Sequence, residues 1–393
     1  MKKNKKIYLD YAATTPVDER AVKAMLPYFS DKFGNPVSLH SVGQEAKEGL
    51  KKSREIIAGA MNAKPEEIIF TASATESNNF ALKGIAFANK KKGKHIIISQ
   101  IEHSCVIESA RWLEKQGFEI TRLPVDKDGL INLDELKDSI REDTILVSII
   151  HGNNEIGTIQ PISEIGKICK DNNVYFHTDA AQSFGKIEID VDEMNIDLLT
   201  ASSHKMYGPK GAACLFVRKG IKIEPLLHGG GHEFGMRSST VNVAAAVGFG
   251  KAVELCQKEM NKERERLIKL RDKLISGISK IDNSYLNGHP EKRLPNNVNF
   301  RFSYIEGEAM IAELESEGVI ASTGSACSSP KLEPSHVLLA IGLEPQEAHG
   351  SLRLSLGRWT TEEEIDYVLQ VLPGIIKKLR EEYLKTGHIS YIE

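Results

Sequence analysis

Lys205 stands among hydroxyls and a histidine in Ser202-Ser203-His204-Lys205-Met206-Tyr207-Gly208-Pro209-Lys210-Gly211, just after an apolar segment. A lysine that joins a carbonyl group as a Schiff base must be partly desolvated, so that its amine can be neutral. The neighbouring hydroxyls and His204 suit a phosphate; a surface lysine near a turn is the plain alternative. Asp179, in His177-Thr178-Asp179-Ala180-Ala181-Gln182, ends another apolar run and needs either a cationic partner or a capping role at the next helix. The stretch Thr71-Ala72-Ser73-Ala74-Thr75-Glu76-Ser77-Asn78 joins a strand pattern to a helix pattern through small residues and hydroxyls. Such a join offers backbone N–H groups and the positive end of a helix dipole to a phosphate, although Thr75 is equally a good N-cap. His151-Gly152-Asn153-Asn154-Glu155 follows a long apolar run. Its amides suit a ring oxygen or a substrate carboxylate, or merely a turn. A lysine, an aspartate, a phosphate cradle and an amide at four strand ends are the parts that a pyridoxal-phosphate site needs together, the aspartate keeping the pyridine nitrogen protonated.

The thiols divide by context. Cys327 lies in Ile320-Ala321-Ser322-Thr323-Gly324-Ser325-Ala326-Cys327-Ser328-Ser329-Pro330, a run of small polar residues expected to form a mobile, exposed loop. Cys169 and Cys256 sit in helical patterns and Cys214 in a strand pattern, where a buried structural role is the default. Cys105, two residues after His103, is less easily dismissed. His228-Gly229-Gly230-Gly231-His232 has metal-like spacing, but three glycines disfavour a helix and no further ligand completes a set, so no metal is expected.

These residues need elements to hold them. From about residue 60 to 255, short apolar runs alternate with helical patterns. Examples are Glu67 to Phe70, His95 to Ser99, Thr144 to Ile150, Val174 to His177 and Ala212 to Val217. Near-continuous apolar strands alternating with helices imply a mostly parallel α/β sheet covered on both faces. A charged helical segment, Glu259 to Lys273, then leads to a smaller α+β region, with a strand at Asn297 to Phe300, a helix at Glu306 to Glu317, a strand at Leu352 to Ser355 and a last helix from Thr361 to about Leu384.

Composition closes off other classes. A net charge of -3, with no basic run beyond the first six residues, argues against nucleic acid as a partner. No segment has the uninterrupted apolar length of a membrane span, and Asp10 cuts short the only early apolar stretch, so neither a membrane anchor nor a signal peptide is expected. Five scattered cysteines with no C-x-x-C do not read as a disulfide framework. A reduced, cytoplasmic protein is the expectation.

Taken together the motifs resemble those of the NifS/IscS-type cysteine desulfurases, fold-type I pyridoxal-phosphate enzymes of the class-V aminotransferase group. The resemblance runs nearly end to end. It is carried by Tyr8 to Pro16, Phe33-Gly34-Asn35-Pro36, Ala74-Thr75-Glu76-Ser77, His151 to Gly157, Ser202 to Gly211, His228 to Arg237, Gly324-Ser325-Ala326-Cys327 and Ser351 to Arg358. It implies a large domain (15–257) with a mostly parallel seven-stranded sheet, and a small α+β domain (1–14 and 258–393) carrying the cysteine loop. It implies that Lys205 binds the cofactor and moves the substrate's α-proton, that Asp179 pairs with the pyridine nitrogen, and that His103 stacks on the ring. Gln182 and Asn154 would bind the phenolic oxygen side. The Ala74 backbone, Thr75, Ser202, His204 and, from the neighbouring subunit of a homodimer, Thr240 would hold the phosphate. Arg353, with Asn35 and Asn154, would bind the substrate carboxylate as a fork.

Cys327 would attack the sulfur of L-cysteine, leaving alanine and an enzyme persulfide for an acceptor or iron–sulfur scaffold protein. Ser73 and Ser203 stand where the family usually has glycine, and Ser73 fits only with a negative φ. The tail Gly387 to Glu393 differs from the longer tail of the housekeeping type. Rival readings are a selenocysteine lyase or class-V aminotransferase on the same scaffold, and a non-catalytic sulfur relay. The loop cysteine argues against the transaminase. Lys205 with Asp179 argues against the relay, which needs no electron sink.

Overall fold

The computed structural model describes residues 6–324 and 334–386, with the side chains of the last helix described to residue 384. The strands are β1 (Ile7–Tyr8), β2 (Ile68–Thr71), β3 (His95–Ser99), β4 (Glu119–Leu123), β5 (Thr144–Ser148), β6 (Tyr175–Asp179), β7 (Leu198–Ser202), β8 (Ala213–Val217), β9 (Ser284–Leu286), β10 (Asn297–Phe302), β11 (Val319–Ile320) and β12 (Ser351–Ser355). Seven of them form one sheet in the order β2-β8-β7-β6-β5-β3-β4. All pairings in it are parallel except those of β8, which runs antiparallel to both β2 and β7. Two antiparallel steps restore direction, so the C-terminal end of β2 lies on the same edge as those of β3, β5, β6 and β7. That edge is where open α/β sheets place their ligands.

Helices cover both faces of the sheet, and alternate strand residues feed two cores. Ile97, Val147, Phe176, Leu199 and Phe216 pack with Ile57 and Phe249 on one face. Ile96, Ile98, Leu198 and Leu215 pack with Phe80, Leu82 and Leu113 on the other. A further core joins Leu270, Leu274, Phe300, Met310, Leu354 and Leu372 with Ile7 and Leu9 from the start of the chain. The helix Val243–Ile278 is continuous through residues 257 and 258. At 1.5 Å per residue it is about 54 Å long and reaches from the first core to the last.

β1 pairs in parallel with β11, and Asp10 bridges to Ser355 of β12. The N-terminal segment is thereby laid from the last core across to Lys205. Thr15 N–H donates to the His204 carbonyl at 3.0 Å, and Asp18 N–H to the Tyr207 carbonyl at 2.9 Å. Beyond Lys205 the chain turns sharply: Tyr207 has φ 67°, and a Cβ on Gly208 would lie 2.1 Å from Ser203 Oγ. A larger residue there would have to displace the buried Ser203 hydroxyl.

Candidate active site

Lys205 ends a short 3-10 turn, Ser203–Lys205, that directly follows β7. Its ammonium donates to the Ala12 and Ala13 carbonyls at 2.6 and 2.8 Å. Gln182 Nε2 donates to the same Ala12 carbonyl at 2.9 Å. The N-terminal segment therefore supplies acceptors that hold the lysine and the glutamine side by side. Asp179, the last residue of the adjacent strand β6, is buried. It accepts Asn78 Nδ2 at 2.6 Å and Ala181 N–H at 2.9 Å. Among the described residues no ion pair joins it to a cationic side chain. A buried carboxylate held this way suits a protonated ring nitrogen as counter-ion.

The phosphate-cradle residues lie at two joins, after β7 and after β2, the strands on either side of β8. Ser202 Oγ is buried and has no hydrogen-bond partner, which leaves a donor ready for a phosphate oxygen. His204 Nδ1 meets Thr14 Oγ1 at 3.1 Å, and burial, with Lys205, Lys210 and Lys186 nearby, holds its pKa down at about 4. Ala74 and Thr75 open the helix Ala74–Asn89. The capping role weighed for Thr75 belongs to Ser73, whose hydroxyl accepts Glu76 N–H at 3.1 Å. Thr75 is left exposed at the helix start. Ser73 has φ -162°, extended backbone that serine adopts freely, so a glycine is not required.

His103 is the N-cap of helix Ser104–Lys115, after β3. Burial lowers its pKa; Asp179 raises it, and Lys205 and His336 lower it further. Those three neighbours place His103 with the lysine and the aspartate. Arg353 lies in β12. Its Nη1 donates to the Asn154 carbonyl at 3.0 Å and its Nη2 pairs with Asp10 at 2.8 Å, while Nε is buried without a partner. Asn35 is exposed, with its side-chain oxygen accepting Val37 N–H at 3.2 Å, and among the described residues no hydrogen bond joins it to Arg353. Thr240 is exposed too.

Cys327 lies outside the described residues, as do the tail from Gly387 and the first five residues. Cys169, Cys214 and Cys256 are buried, as their patterns suggested. Among the described residues no cluster of side chains suits a metal ion. The stretch His228 to Thr240, for all its glycines, is pinned within its own chain. Glu233 forms a buried pair with Arg54 at 2.7 Å and accepts Phe70 N–H at 2.7 Å, and Arg237 pairs with Glu76 at 2.8 Å.

Residues 7–368 match the family described as aminotransferase class-V. The chain belongs to that family. Named relatives include a cysteine desulfurase IscS of Methanosarcina thermophila, 55% identical over 96% of this chain and 93% of that one. A mitochondrial cysteine desulfurase of Saccharomyces cerevisiae is 50% identical over 95% and 76% of the two chains. Among solved structures, a NifS-like protein aligns with TM-score 0.90 at 38% identity, covering 95% of this chain and 100% of that chain. A structure titled SspA in complex with cysteine aligns at 0.81 and 40% identity, covering 90% and 100%.

Sequence reasoning missed Asp10, the carbonyls of Ala12 and Ala13, and Asn78. Asn78 carried a signal: an asparagine inside an amphipathic helix is a poor helix former and needs a reason to be there.

Proposed function

We propose that the chain is a pyridoxal-phosphate-dependent cysteine desulfurase that converts L-cysteine to L-alanine and keeps the sulfur as a persulfide on Cys327. The observation that carries this reading is the meeting, at the ends of adjacent strands β6 and β7, of buried Asp179 with Lys205 and the unpartnered Ser202 hydroxyl. The cofactor supplies an electron sink for the charge that develops at the substrate's α-carbon. Lys205 binds the cofactor and moves the α-proton; the Ala12 and Ala13 carbonyls aim its amine. Asp179 would pair with the ring nitrogen. Gln182 and Asn154 would bind the ring's oxygen side, and Ala74, Thr75, Ser202 and His204 would hold the phosphate.

Arg353 receives the substrate carboxylate with the guanidinium N–H groups not committed to Asp10 or Asn154, the buried and unpartnered Nε among them. Asn35 and Asn154 complete that end of the site. His103 relays a proton. The Cys327 thiolate attacks the substrate sulfur: the C–S bond breaks, an S–S bond forms, and alanine departs with protons from the relay. The products are one alanine and one persulfide per cysteine, and the persulfide passes to an acceptor or iron–sulfur scaffold protein.

The same reading divides the chain at 15–257 and at 1–14 with 258–393; the core around Phe300 and Leu354 supports it, while a smaller cluster of Ile101, Ile150 and Ile156 with Val337 and Leu338 spans the division. It takes the active form as a homodimer in which Thr240 reaches the neighbour's phosphate. It places the protein in the cytoplasm; no helix among the described residues is long and apolar enough to cross a membrane. The deciding experiment is direct: the purified, cofactor-loaded protein is given labelled cysteine, and alanine and persulfide are counted. Equal yields support the reading; alanine without persulfide, or transfer of the amino group to a keto acid, rejects it.

A further inference from the structure

The wall between Asp179 and His103 is built by two residues to which the proposed chemistry gives no part, Asn78 and Cys105. Because His103 caps its helix, the peptide N–H of Cys105 points at His103 Nδ1 from 3.2 Å. A peptide nitrogen can only donate, so Nδ1 is an acceptor and carries no proton. The Cys105 sulfur lies 3.0 Å from the same Nδ1. Burial pushes this thiol up to about 12, with Asp179 and Glu102 adding to the rise and the amide of Asn78 and hydroxyl of Thr75 opposing it. The thiol therefore keeps its hydrogen and donates it.

The sulfur in turn receives Asn78 Nδ2 at 3.1 Å, and the other hydrogen of that amide goes to Asp179 at 2.6 Å. Asn78 is fully buried, so no water competes for the amide. The hydrogen positions are fixed from both ends. The carboxylate can only accept, so it orients the Asn78 amide with its NH2 group towards the sulfur, and the peptide N–H can only donate, so Nδ1 is left as the acceptor that the thiol shares.

We propose that Asn78 and Cys105 are positioning residues that lock neutral His103 in the tautomer with its proton on Nε2. On the proton-relay reading of His103 given above, on which this consequence rests, the neutral ring presents Nε2–H to the site as a hydrogen-bond donor, and it becomes a proton carrier only by taking a proton at Nδ1. Protonating Nδ1 forfeits both the peptide and the thiol donor, so the thiol opposes formation of the imidazolium. Asp179 favours that charge; Lys205 and His336 oppose it.

The test uses cofactor-loaded protein labelled with nitrogen-15 in histidine, with the His103 signals identified by their loss in His103→Gln. Without cysteine, at neutral pH, Nδ1 is expected to show the acceptor-type signal and Nε2 the protonated one. Cys105→Ala is expected to raise the titration midpoint of His103 by roughly half a pH unit, the worth of one weak hydrogen bond. Cys105→Ser, which keeps a donor, is expected to restore it. The acid limb of kcat against pH moves with the midpoint. If Cys105→Ala does not fold, Asn78→Ala is titrated instead, with a rise again expected. A proton on Nδ1, or a midpoint unmoved by these substitutions, overturns the proposal. The tautomer is read without turnover, so failure of the desulfurase reading would appear separately, in the alanine and persulfide counts.

Discussion

Glu102 shows how far one residue at the site's edge is governed by its surroundings. It precedes His103, is fully buried, and accepts Ile150 N–H at 2.8 Å, while its second oxygen has no partner. Burial raises its pKa to about 8. A raised carboxyl favours the fold while protonated in both states, and that contribution is lost as pH climbs from the unfolded value towards 8. Glu102→Gln removes the titration, so wild type should lose on the order of 2–4 kcal/mol relative to the variant between about pH 4.5 and 8; urea midpoints across that range decide it, and parallel curves refute it. At Lys205, substitution by alanine should abolish the borohydride-reducible bond to the cofactor; a pyridoxyl peptide recovered on Lys210 would move the assignment. Cys327→Ala should still bind cofactor and cysteine but release alanine slower by a factor on the order of 10³ or more. Single-turnover mapping of the persulfide checks this, and label on Cys105 would transfer the role. Lys205 and Asp179 carried local signatures at strand ends, and the structure sets them at the ends of neighbouring strands; Cys327, picked out by its run of small polar residues, lies outside the described residues. Asn78 was not, since its partners are 27 and 101 residues away in sequence.

Elements were legible where burial is two-sided. β3, β5 and β8 are buried along their whole length and read as apolar runs. β4 escaped notice because it is an edge strand whose Glu-Ile-Thr-Arg-Leu is largely accessible, giving no continuous run. β1 and β11 have two residues each, too few for a period, and they find each other across more than three hundred positions. The antiparallel insertion of β8 is equally silent, because composition does not encode strand direction. The anchoring of the glycine-rich stretch is silent for a related reason: glycine content reports backbone freedom, not the ion pair that removes it. Arg54 and Glu233 have side chains only 9% and 2% exposed, and Arg54 lies over the Phe70 and Phe234 rings. Removing one partner of such a pair leaves a buried charge uncompensated, at about 3–5 kcal/mol. Glu233→Gln should therefore lower stability by about that amount and free the stretch to proteolysis. Glu254→Gln, which breaks the accessible pair with Lys258, should cost less than about 1 kcal/mol. Equal urea midpoints for the two variants would show that the pair does not hold the stretch.

At the scale of the whole molecule, the unusual surface lies between Leu26 and Leu39. Leu26, Phe29, Phe33, Val37 and Leu39 are 56%, 64%, 68%, 61% and 94% exposed. Scattered apolar residues are common on soluble proteins, but five large ones in one short stretch are what a protein–protein contact would use. Asn35 lies in this stretch, and Thr240, expected at a neighbour's phosphate, is also exposed. Both facts fit a second copy of the chain as the cover. Light scattering should give about 87 kDa, twice the 43.5 kDa chain. Joining Phe29→Asp with Leu39→Asp places two charges where the apolar contact would form; it should yield monomers that hold the cofactor more weakly, because each has lost its neighbour's Thr240. A sharper test separates a shared site from mere association. Thr240→Glu sets a negative charge against the neighbour's phosphate, and Lys205→Ala removes the cofactor's own anchor, so each homodimer should be nearly inactive. In a mixed dimer one site keeps both Lys205 from its own chain and Thr240 from the other. Refolding the two variants together should then recover a measurable fraction of wild-type alanine release. Mixed dimers formed but no more active than either parent would mean that Thr240 serves its own chain or none.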